Sequence, residues 1–167
     1  MPSRKPATAS AAAPADARDE WLQLDRQLCF ALYSSSLAMT KLYKPLLTPL
    51  GLTYPQYLAM LALWETDGKS ALSVGQLGQR LSLDSGTLTP LLKRLEALGH
   101  IERRRAPDDE RRVDIFLTPA GRKLRRLALD IPGQLACAAA CDLQELAELT
   151  QRLHELRSQL AAASGSA

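Results

Sequence analysis

The stretch "DSGTLTPLLKRLEALGHIERRRAPDDERRVDIFLT", residues 84–118, changes from a helical pattern to an alternating one. Leucines recur at spacings of three and four until Gly99, and Asp84 or Ser85 precedes them as a helix cap. "HIERRRA" and "RVDIFLT" then alternate apolar and polar residues, and "PDDER" between them has turn chemistry. These residues therefore predict a helix followed by a charged β-hairpin.

A second helical pattern, "SVGQLGQRL", lies just upstream and begins at a capping Ser73. Two short helices joined by a turn of three or four residues predict a helix-turn-helix, whose second helix can enter a DNA major groove. An ordinary pair of packed helices would look the same up to this point. The hairpin that follows favours a winged helix, with a basic wing tip that can reach a neighbouring minor groove.

The segment before this core predicts helices. Apolar residues recur at three and four from Asp19 to Tyr43, which indicates one long amphipathic helix. Pro45 disfavours helical geometry at Lys44, so we expect a bend or stop there and a short helix to Leu50, closed by Gly51. The next helix, "TYPQYLAMLALWE", begins with Thr53 as its cap.

The segment after the core is helical again. Thr118 and Pro119 supply a cap and a first-turn proline, and a kink is expected at Pro132-Gly133. The last helix, "DLQELAELTQRLHELRSQLAAA", carries leucines at 143, 146, 149, 153, 156 and 160. Such a stripe needs a partner, and a symmetric dimer formed by both terminal helices is the economical solution. A monomer that folds these helices onto itself remains possible.

The expected fold class is mostly α with a small β-hairpin wing: a winged helix-turn-helix with N- and C-terminal dimerisation helices. Its expected parts are a disordered tail at 1–15, dimerisation helices at 16–50, a DNA-binding domain at 51–121, further dimerisation helices at 122–162 and a disordered tail at 163–167.

Composition restricts the classes of function. The chain is 46% hydrophobic and 23% charged, with no signal peptide pattern and no run of eighteen apolar residues, so we expect a soluble cytoplasmic protein. Three cysteines and two histidines lack zinc-site spacing, and we expect no metal and no cofactor. Residues 93–126 carry a net charge of +5 and the rest of the chain −2, which favours a polyanion partner.

Several motifs in order resemble a known family. "DSGTLTPLLKRLEALGHIERRR", "DDERRVDIFLT" and "PAGR" resemble the MarR family of winged-helix repressors, and "LCFALYSSSLAMTKLYKPLL" with "LGLTYPQY" resembles its organic-hydroperoxide-sensing (OhrR-type) branch. The resemblance implies a homodimer that binds palindromic operator DNA and dissociates when a sensor cysteine, here Cys29, is oxidised by an organic hydroperoxide.

The same resemblance assigns further residues to the sensor. Tyr43 and Tyr54, with Tyr33 nearby, match the tyrosines that hydrogen-bond the thiol. Cys137, or alternatively Cys141, matches the resolving cysteine that captures the oxidised sensor of the opposite subunit as a disulfide. These two cysteines are four apart, which predicts a shared helix face and an awkward intramolecular pairing.

The residues themselves place one condition on this sensor. Tyr43 follows Cys29 by fourteen positions, about 21 Å along a continuous helix, so the two side chains can meet only between subunits. Peroxide attack requires the thiolate, which burial disfavours and phenolic donors favour. The product is sulfenic acid, which a second thiol condenses to a disulfide. The alternative is a structural cysteine that acts as a small hydrophobe.

DNA contacts are expected from the start of the second motif helix and from the wing. Hydroxyls and apolar atoms there suit base edges, phosphates and thymine methyls, whereas Lys93 and Arg94 suit phosphates. Arg111 is expected in the minor groove, oriented by Asp109, and Arg112 on the DNA backbone. The expected residues of the motif helix before Lys93 are Ser85, Thr87, Thr89 and Pro90.

Two rival functions start from the same residues. A thiol peroxidase would use the same first chemical step, but it would leave the winged helix unexplained; we therefore expect no enzyme. A repressor released by a noncovalent ligand would make Cys29 incidental.

Overall fold

The computed structural model describes residues 19–66 and 71–164. The tail predicted at 1–15 lies outside these residues. Seven α-helices lie wholly within the described part: α1 (Leu28–Leu47), α2 (Tyr54–Trp64), α3 (Val74–Leu81), α4 (Ser85–Ala97), α5 (Pro119–Ala128), α6 (Ile131–Ala138) and α7 (Leu143–Ser164). Three strands accompany them: β1 (Leu72–Ser73), β2 (Ile101–Ala106) and β3 (Asp109–Leu117). The chain forms two units, residues up to Thr40 and residues from Lys41 onward.

In the N-terminal unit, the prediction of one continuous helix from Asp19 is wrong. A 3-10 helix covers Leu24–Arg26, and Gln27 is extended with φ −83° and ψ 115° before α1 begins at Leu28. The Gln27 N–H bonds the Leu24 carbonyl three residues back, at 3.0 Å, rather than four. Apolar residues spaced at three and four do not distinguish this tighter turn from an α-helix, so the break was not visible in the pattern.

At the end of α1, the stop predicted at Lys44 is wrong, and the alternative of a bend there stays a prediction. The short helix predicted to end at Leu50 is confirmed as a 3-10 helix. The helix does not stop at Lys44 but continues through Pro45 to Leu47, followed by a 3-10 helix at Thr48–Leu50. Pro45 has no N–H to donate to the carbonyl four residues earlier, at Lys41, so one helical hydrogen bond is missing, and only two residues of α1 follow it. Gly51 closes the segment as predicted, with a φ of +67° that favours glycine.

The helix-turn-helix is confirmed, with the predicted caps. Thr53 and Gln56 form a capping box at α2, and Ser73 with Gln76 forms one at α3. The turn between α3 and α4 requires a glycine at 78, because a Cβ there would lie 2.9 Å from the Leu83 carbonyl oxygen. α4 ends at Ala97 with Leu98 as its C-cap, and the predicted helix-ending glycine, Gly99, follows with a φ of +73°.

The wing is confirmed as an antiparallel hairpin of β2 and β3, and the sheet contains a strand that the sequence did not indicate. β1 pairs with β3 in the register Leu72↔Ile115, so the strand order is β1-β3-β2. Two residues are too few to show an alternating pattern.

The C-terminal helices differ from the prediction in their break point. Thr118 caps α5, its Oγ1 accepting the Gly121 N–H at 3.0 Å, as predicted. The chain then turns at residues 129–130, and Pro132 falls in the first turn of α6 instead of kinking a longer helix. Proline suits a helix start because the N–H it lacks has no partner there. α7 runs to Ser164, two residues into the predicted tail, and residues 165–167 lie outside the described residues.

The core lies between α2, α3, α4, the wing and α5. Its fully buried leucines include Leu63, Leu77, Leu88 and Leu95. Trp64 joins α2 to the start of α5, since its Nε1–H donates to the Gly121 carbonyl at 2.9 Å in a buried position. Among the described residues, no helix has the length and apolar content needed to cross a bilayer.

Candidate DNA-binding surface and redox site

The N-terminus of α4 is organised by Asp84. One carboxylate oxygen accepts the Thr87 N–H at 2.9 Å and the other accepts the Thr87 hydroxyl at 2.8 Å. The backbone hydrogen bond from Thr87, followed by that of its hydroxyl, lowers the pKa of Asp84 below its usual range. The first turn of α4 is therefore held by a charged cap.

α4 presents two faces. Leu88, Leu91, Leu92 and Leu95 are buried. Thr89 is half-buried, with its hydroxyl donating to the Ser85 carbonyl at 2.7 Å. The other sequence-predicted residues of this helix are exposed: Ser85, Thr87, Pro90, Lys93 and Arg94. The helix thus offers polar and basic side chains on the side that the core leaves uncovered.

The wing places its predicted residues close together. The Asp109 carboxylate accepts the backbone N–H of Arg111 at 3.0 Å, so Asp109 acts on the Arg111 backbone. The Arg112 guanidinium pairs with Asp108 at 2.7 Å and with Asp114 at 3.2 Å. Arg111 and Arg112 are both exposed.

A cleft of about 460 Å³ separates the wing from the helix-turn-helix. Thr89 of α4 lies on one side, and Arg111 and Arg112 of the wing on the other. Its lining also includes Ser73, Val74, Gly75, Leu92, Arg103 and Val113. The structure therefore brings together basic and hydroxyl side chains that are distant in sequence.

Arg103 is a basic residue of this cleft that the sequence did not single out. Its Nε–H and backbone N–H donate to the Glu96 carboxylate at 2.8 and 3.1 Å. The side-chain hydrogen bond from Arg103 is the main cause that lowers the pKa of Glu96. The pair joins the end of α4 to β2, and it was missed because the two residues belong to different elements.

Cys29 lies in the N-terminal unit, on the first turn of α1, and its thiol is free and exposed. Apolar neighbours on the same helix are exposed as well: Leu28 by 54%, Tyr33 by 62% and Leu37 by 47%. Tyr33 is thus placed on a solvent-facing surface of this unit. The thiol belongs to an apolar helix face that is uncovered in one chain.

Tyr43 and Tyr54 meet within the second unit. Their ring centroids are 4.7 Å apart, and Tyr57, 5.8 Å from Tyr43, adds a third phenol. Burial, with Tyr54 and Tyr57 close by, raises the pKa of Tyr43 to about 12, and burial also raises the pKa of Tyr54 and Tyr57. All three therefore remain protonated donors at neutral pH. Tyr57 was not among the predicted residues, although its spacing of three from Tyr54 on α2 was a signal.

The prediction that Cys137 and Cys141 share a helix face is wrong. α6 ends at Ala138, and Ala140 has a φ of +52°, so the chain leaves the helix between the two cysteines. The Cys141 N–H bonds the Ala136 carbonyl at 3.1 Å, which completes a Schellman turn. Cys137 is exposed in the last turn of α6, whereas Cys141 is half-buried and its thiol donates to the Ala139 carbonyl at 3.4 Å.

The terminal helices bury little. None of the residues of α7, all of which are described, is buried, and of those of α1 only Leu47 is. Leu143, Leu149 and Leu160 are each more than half exposed. The described residues contain no cluster of His, Cys, Asp and Glu able to hold a metal ion.

A helix-turn-helix with an uncovered polar face and an adjoining basic wing defines the class of winged-helix transcriptional regulators. Within that class the chain belongs to the MarR-like SarA/Rot family of transcriptional regulators, whose family model matches residues 41–126. The resemblance to the MarR family is thereby confirmed.

Individual relatives narrow the likeness to one branch. The organic hydroperoxide resistance transcriptional regulator of Bacillus subtilis (strain 168) is 49% identical over 139 residues, covering 83% of this chain and 92% of the relative. Reduced AbfR bound to DNA is 32% identical with a TM-score of 0.66, covering 86% of this chain and 99% of that one. Disulfide-formed AbfR is 35% identical with a TM-score of 0.56, covering 86% and 98%.

Proposed function

We propose that this protein is a redox-sensing transcriptional repressor of the cytoplasm that binds palindromic operator DNA as a homodimer. It dissociates when an organic hydroperoxide oxidises Cys29. The observation that carries the proposal is the free, exposed thiol on an apolar face of α1, in a chain whose other half is a winged helix. The 49% identity to a regulator of organic hydroperoxide resistance supports the choice of inducer.

The DNA-binding half reads the operator with α4 and the wing. Ser85, Thr87, Thr89 and Pro90 face base edges and phosphates of the major groove, and Lys93 and Arg94 contact phosphates a turn later. Arg111 enters the minor groove with its backbone fixed by Asp109. Twofold symmetry places the two half-sites about one helical turn apart.

The terminal helices of two subunits form the dimer. The supporting observation is the set of exposed leucines on α7 together with the exposed apolar face of α1. Leaving apolar surface in water is unfavourable by about 25 cal/mol per Å². Covering these helix faces with those of a second subunit therefore stabilises the dimer. The same dimer places the sensor at the subunit interface.

The sensor reaction consumes one hydroperoxide. The Cys29 thiolate attacks the terminal peroxide oxygen, the O–O bond breaks, and the alcohol leaves with a proton as Cys29 becomes sulfenic acid. The Cys137 thiol of the opposite subunit then displaces water and forms a disulfide, with Cys141 as the alternative. Tyr43 and Tyr54 of the partner subunit donate to the Cys29 sulfur, and Tyr33 lies one turn from it on α1. Exposure of Cys137 in the last turn of α6 supports its choice as the resolving thiol.

Two other functions use the same groups. A thiol peroxidase would turn over hydroperoxide with a thiol reductant, whereas a sensor consumes it stoichiometrically. A repressor released by a noncovalent ligand would respond without the Cys29 thiol. Relatives described as transcriptional regulators favour repression over catalysis.

The test is DNA release by Cys29→Ser. A site selected from random-sequence DNA by the reduced wild-type protein serves as the probe, and cumene hydroperoxide as the oxidant. We expect the wild-type protein and Cys141→Ser to leave the DNA and Cys29→Ser to stay bound. Full release of Cys29→Ser by the hydroperoxide would contradict the proposal.

A further inference from the structure

The wing contains an irregularity at the place where its arginines lie. Arg105 pairs with Val113, but the next residue of β2, Ala106, pairs with Asp109. Residues 110–112 of β3 therefore have no partner on β2. An extended bulge of this kind loses ladder hydrogen bonds and bends the strand, so its shape depends on other contacts.

Arg112 spans this bulge. Its Nη1 and Nη2 donate to the two Asp108 carboxylate oxygens at 3.1 and 2.7 Å, in bidentate geometry. Its Nε donates to Asp114 at 3.2 Å. Asp108 precedes the bulge in the turn, and Asp114 follows it on the central strand of the sheet. One planar side chain thus connects the two ends of the bulge.

The ion pairs of Arg112 are expected to stabilise the wing more than an ordinary surface ion pair would. Isolated exposed pairs contribute little, but a bidentate arginine in a network of carboxylates is the recognised exception. The Asp114 side chain is only 16% exposed, which anchors one end of the network in the sheet. With two carboxylates against it, the Arg112 guanidinium has little net charge to offer to a phosphate.

Arg111 depends on the shape of the same bulge. Its backbone N–H is held by Asp109, and its side chain lines the cleft that Thr89 of α4 lines from the other side. If the bulge relaxes, the Arg111 side chain moves relative to α4 and to the DNA that both contact.

We infer that Arg112 is a positioning residue, whose ion pairs with Asp108 and Asp114 fix the wing bulge and thereby aim Arg111. Arg112 was expected on the DNA backbone from the sequence; its ion pairs favour the positioning role instead. The inference rests on the proposed function for the identity of the ligand, operator DNA, but not for the bulge itself.

The decisive variant is Arg112→Lys, which keeps the charge and loses the planar bidentate fork. We expect it to bind the selected DNA site about tenfold more weakly, as when an arginine base contact is impaired, with an unchanged slope of log K against log salt. The matched control is Arg104→Lys, at an exposed arginine that is also bidentate, but with Glu102 of its own strand β2 and not with Asp108 or Asp114. It should bind within about twofold of the wild-type protein.

Substitutions of the carboxylate partners give a test in which positioning and a direct phosphate contact predict changes of opposite sign in DNA affinity. Asp108→Asn and Glu102→Gln each remove one negative charge from the wing, and both gain the same general attraction to DNA. Positioning predicts that Asp108→Asn binds more weakly than Glu102→Gln. A direct phosphate contact of Arg112 predicts tighter binding by Asp108→Asn, since the arginine is set free, and that result would overturn the inference.

A measurement without DNA separates this inference from the proposed function. Amide hydrogen exchange at Arg111 in the free protein should accelerate in Arg112→Lys and stay unchanged in Arg104→Lys. Unchanged exchange in Arg112→Lys would refute the positioning role even if DNA binding fell. Failure of the reduced wild-type protein to bind any selected site would instead refute the proposed function, while the exchange result still decides the role of Arg112.

Discussion

α4 and α7 carry the same pattern of leucines at spacings of three and four, yet they have opposite environments. α4 buries Leu88, Leu91, Leu92 and Leu95 against the rest of the winged helix, whereas α7 buries none of its described residues. The pattern therefore indicates that a helix needs a partner, and the fold determines whether that partner lies in the same chain. For α4 the chain supplies it; for α7 we propose that a second copy does.

The residues of the proposed sensor show the same contrast between groups that are buried within one chain and groups that are exposed. The phenols of Tyr43, Tyr54 and Tyr57 are clustered, the first two half-buried and the third buried. The Cys29 thiol is instead exposed, on a helix face that is uncovered in one chain. A sensor assembled from these groups thus depends on the same partner as the leucines.

The largest expected effect is a loss of stability in the winged-helix core. Leu95→Ala should lower the free energy of unfolding by about 3 kcal/mol, because it leaves a cavity at a fully buried position. Urea denaturation measures it. Leu98→Ala, at the 47% exposed C-terminal end of the same helix, is the control and should cost under about 1 kcal/mol. Equal losses would contradict the assignment of the core.

On the terminal side, Leu149→Glu should weaken dimerisation about 100-fold, or about 2.7 kcal/mol, because it places a charge in the proposed interface. Sedimentation equilibrium measures the monomer fraction. Gln151→Glu adds the same charge about half a helical turn away and should leave the dimer intact. Dimers of equal affinity in both variants would remove α7 from the interface.

A smaller effect is expected at the junction of the wing and α5. Thr118→Ala removes the cap whose oxygen accepts the Gly121 N–H and should cost about 1 kcal/mol of stability. Thr118→Ser keeps the hydroxyl and should stay within about 0.5 kcal/mol of the wild-type protein. Thermal denaturation of the two variants distinguishes a cap from a purely steric role of the side chain.

The smallest effect concerns pH. The hydrogen bonds from Thr87 lower the folded pKa of Asp84, so its stabilisation is full above the unfolded value of about 4 and is lost as pH falls through the folded pKa. Asp84→Asn keeps a cap that does not titrate. Below pH 4 the wild-type protein should lose stability relative to this variant, and parallel pH profiles would contradict the charged cap.

The sequence was sufficient for features that local chemistry determines. The caps at Thr53, Ser73 and Thr118 and the two positive-φ glycines were predicted from residue type and spacing, and the cap of α4 was narrowed to Asp84 or Ser85, of which the structure has Asp84. The hairpin followed from alternation together with turn residues.

Two kinds of feature could not be predicted from the sequence: the choice between local backbone geometries with similar sequence patterns, and contacts between distant elements. The 3-10 helix before α1 and the passage of that helix through Pro45 have the same apolar spacing as the alternatives. The αL turn at Ala140, which separates Cys137 from Cys141, falls on an alanine, a residue that rarely adopts it. The Glu96–Arg103 and Arg112 contacts required the wing to be placed against α4 and bent by its bulge.

In the proposed mechanism the Cys29 thiol reacts across two subunits, and the decisive measurement is the intact mass without reductant after hydroperoxide treatment. We expect a species of twice the chain mass in the wild-type protein and in Cys141→Ser, and none in Cys29→Ser or in Cys137→Ser. Oxidised wild-type protein that remains entirely at single-chain mass, or a double-mass species that persists in Cys29→Ser, would contradict it.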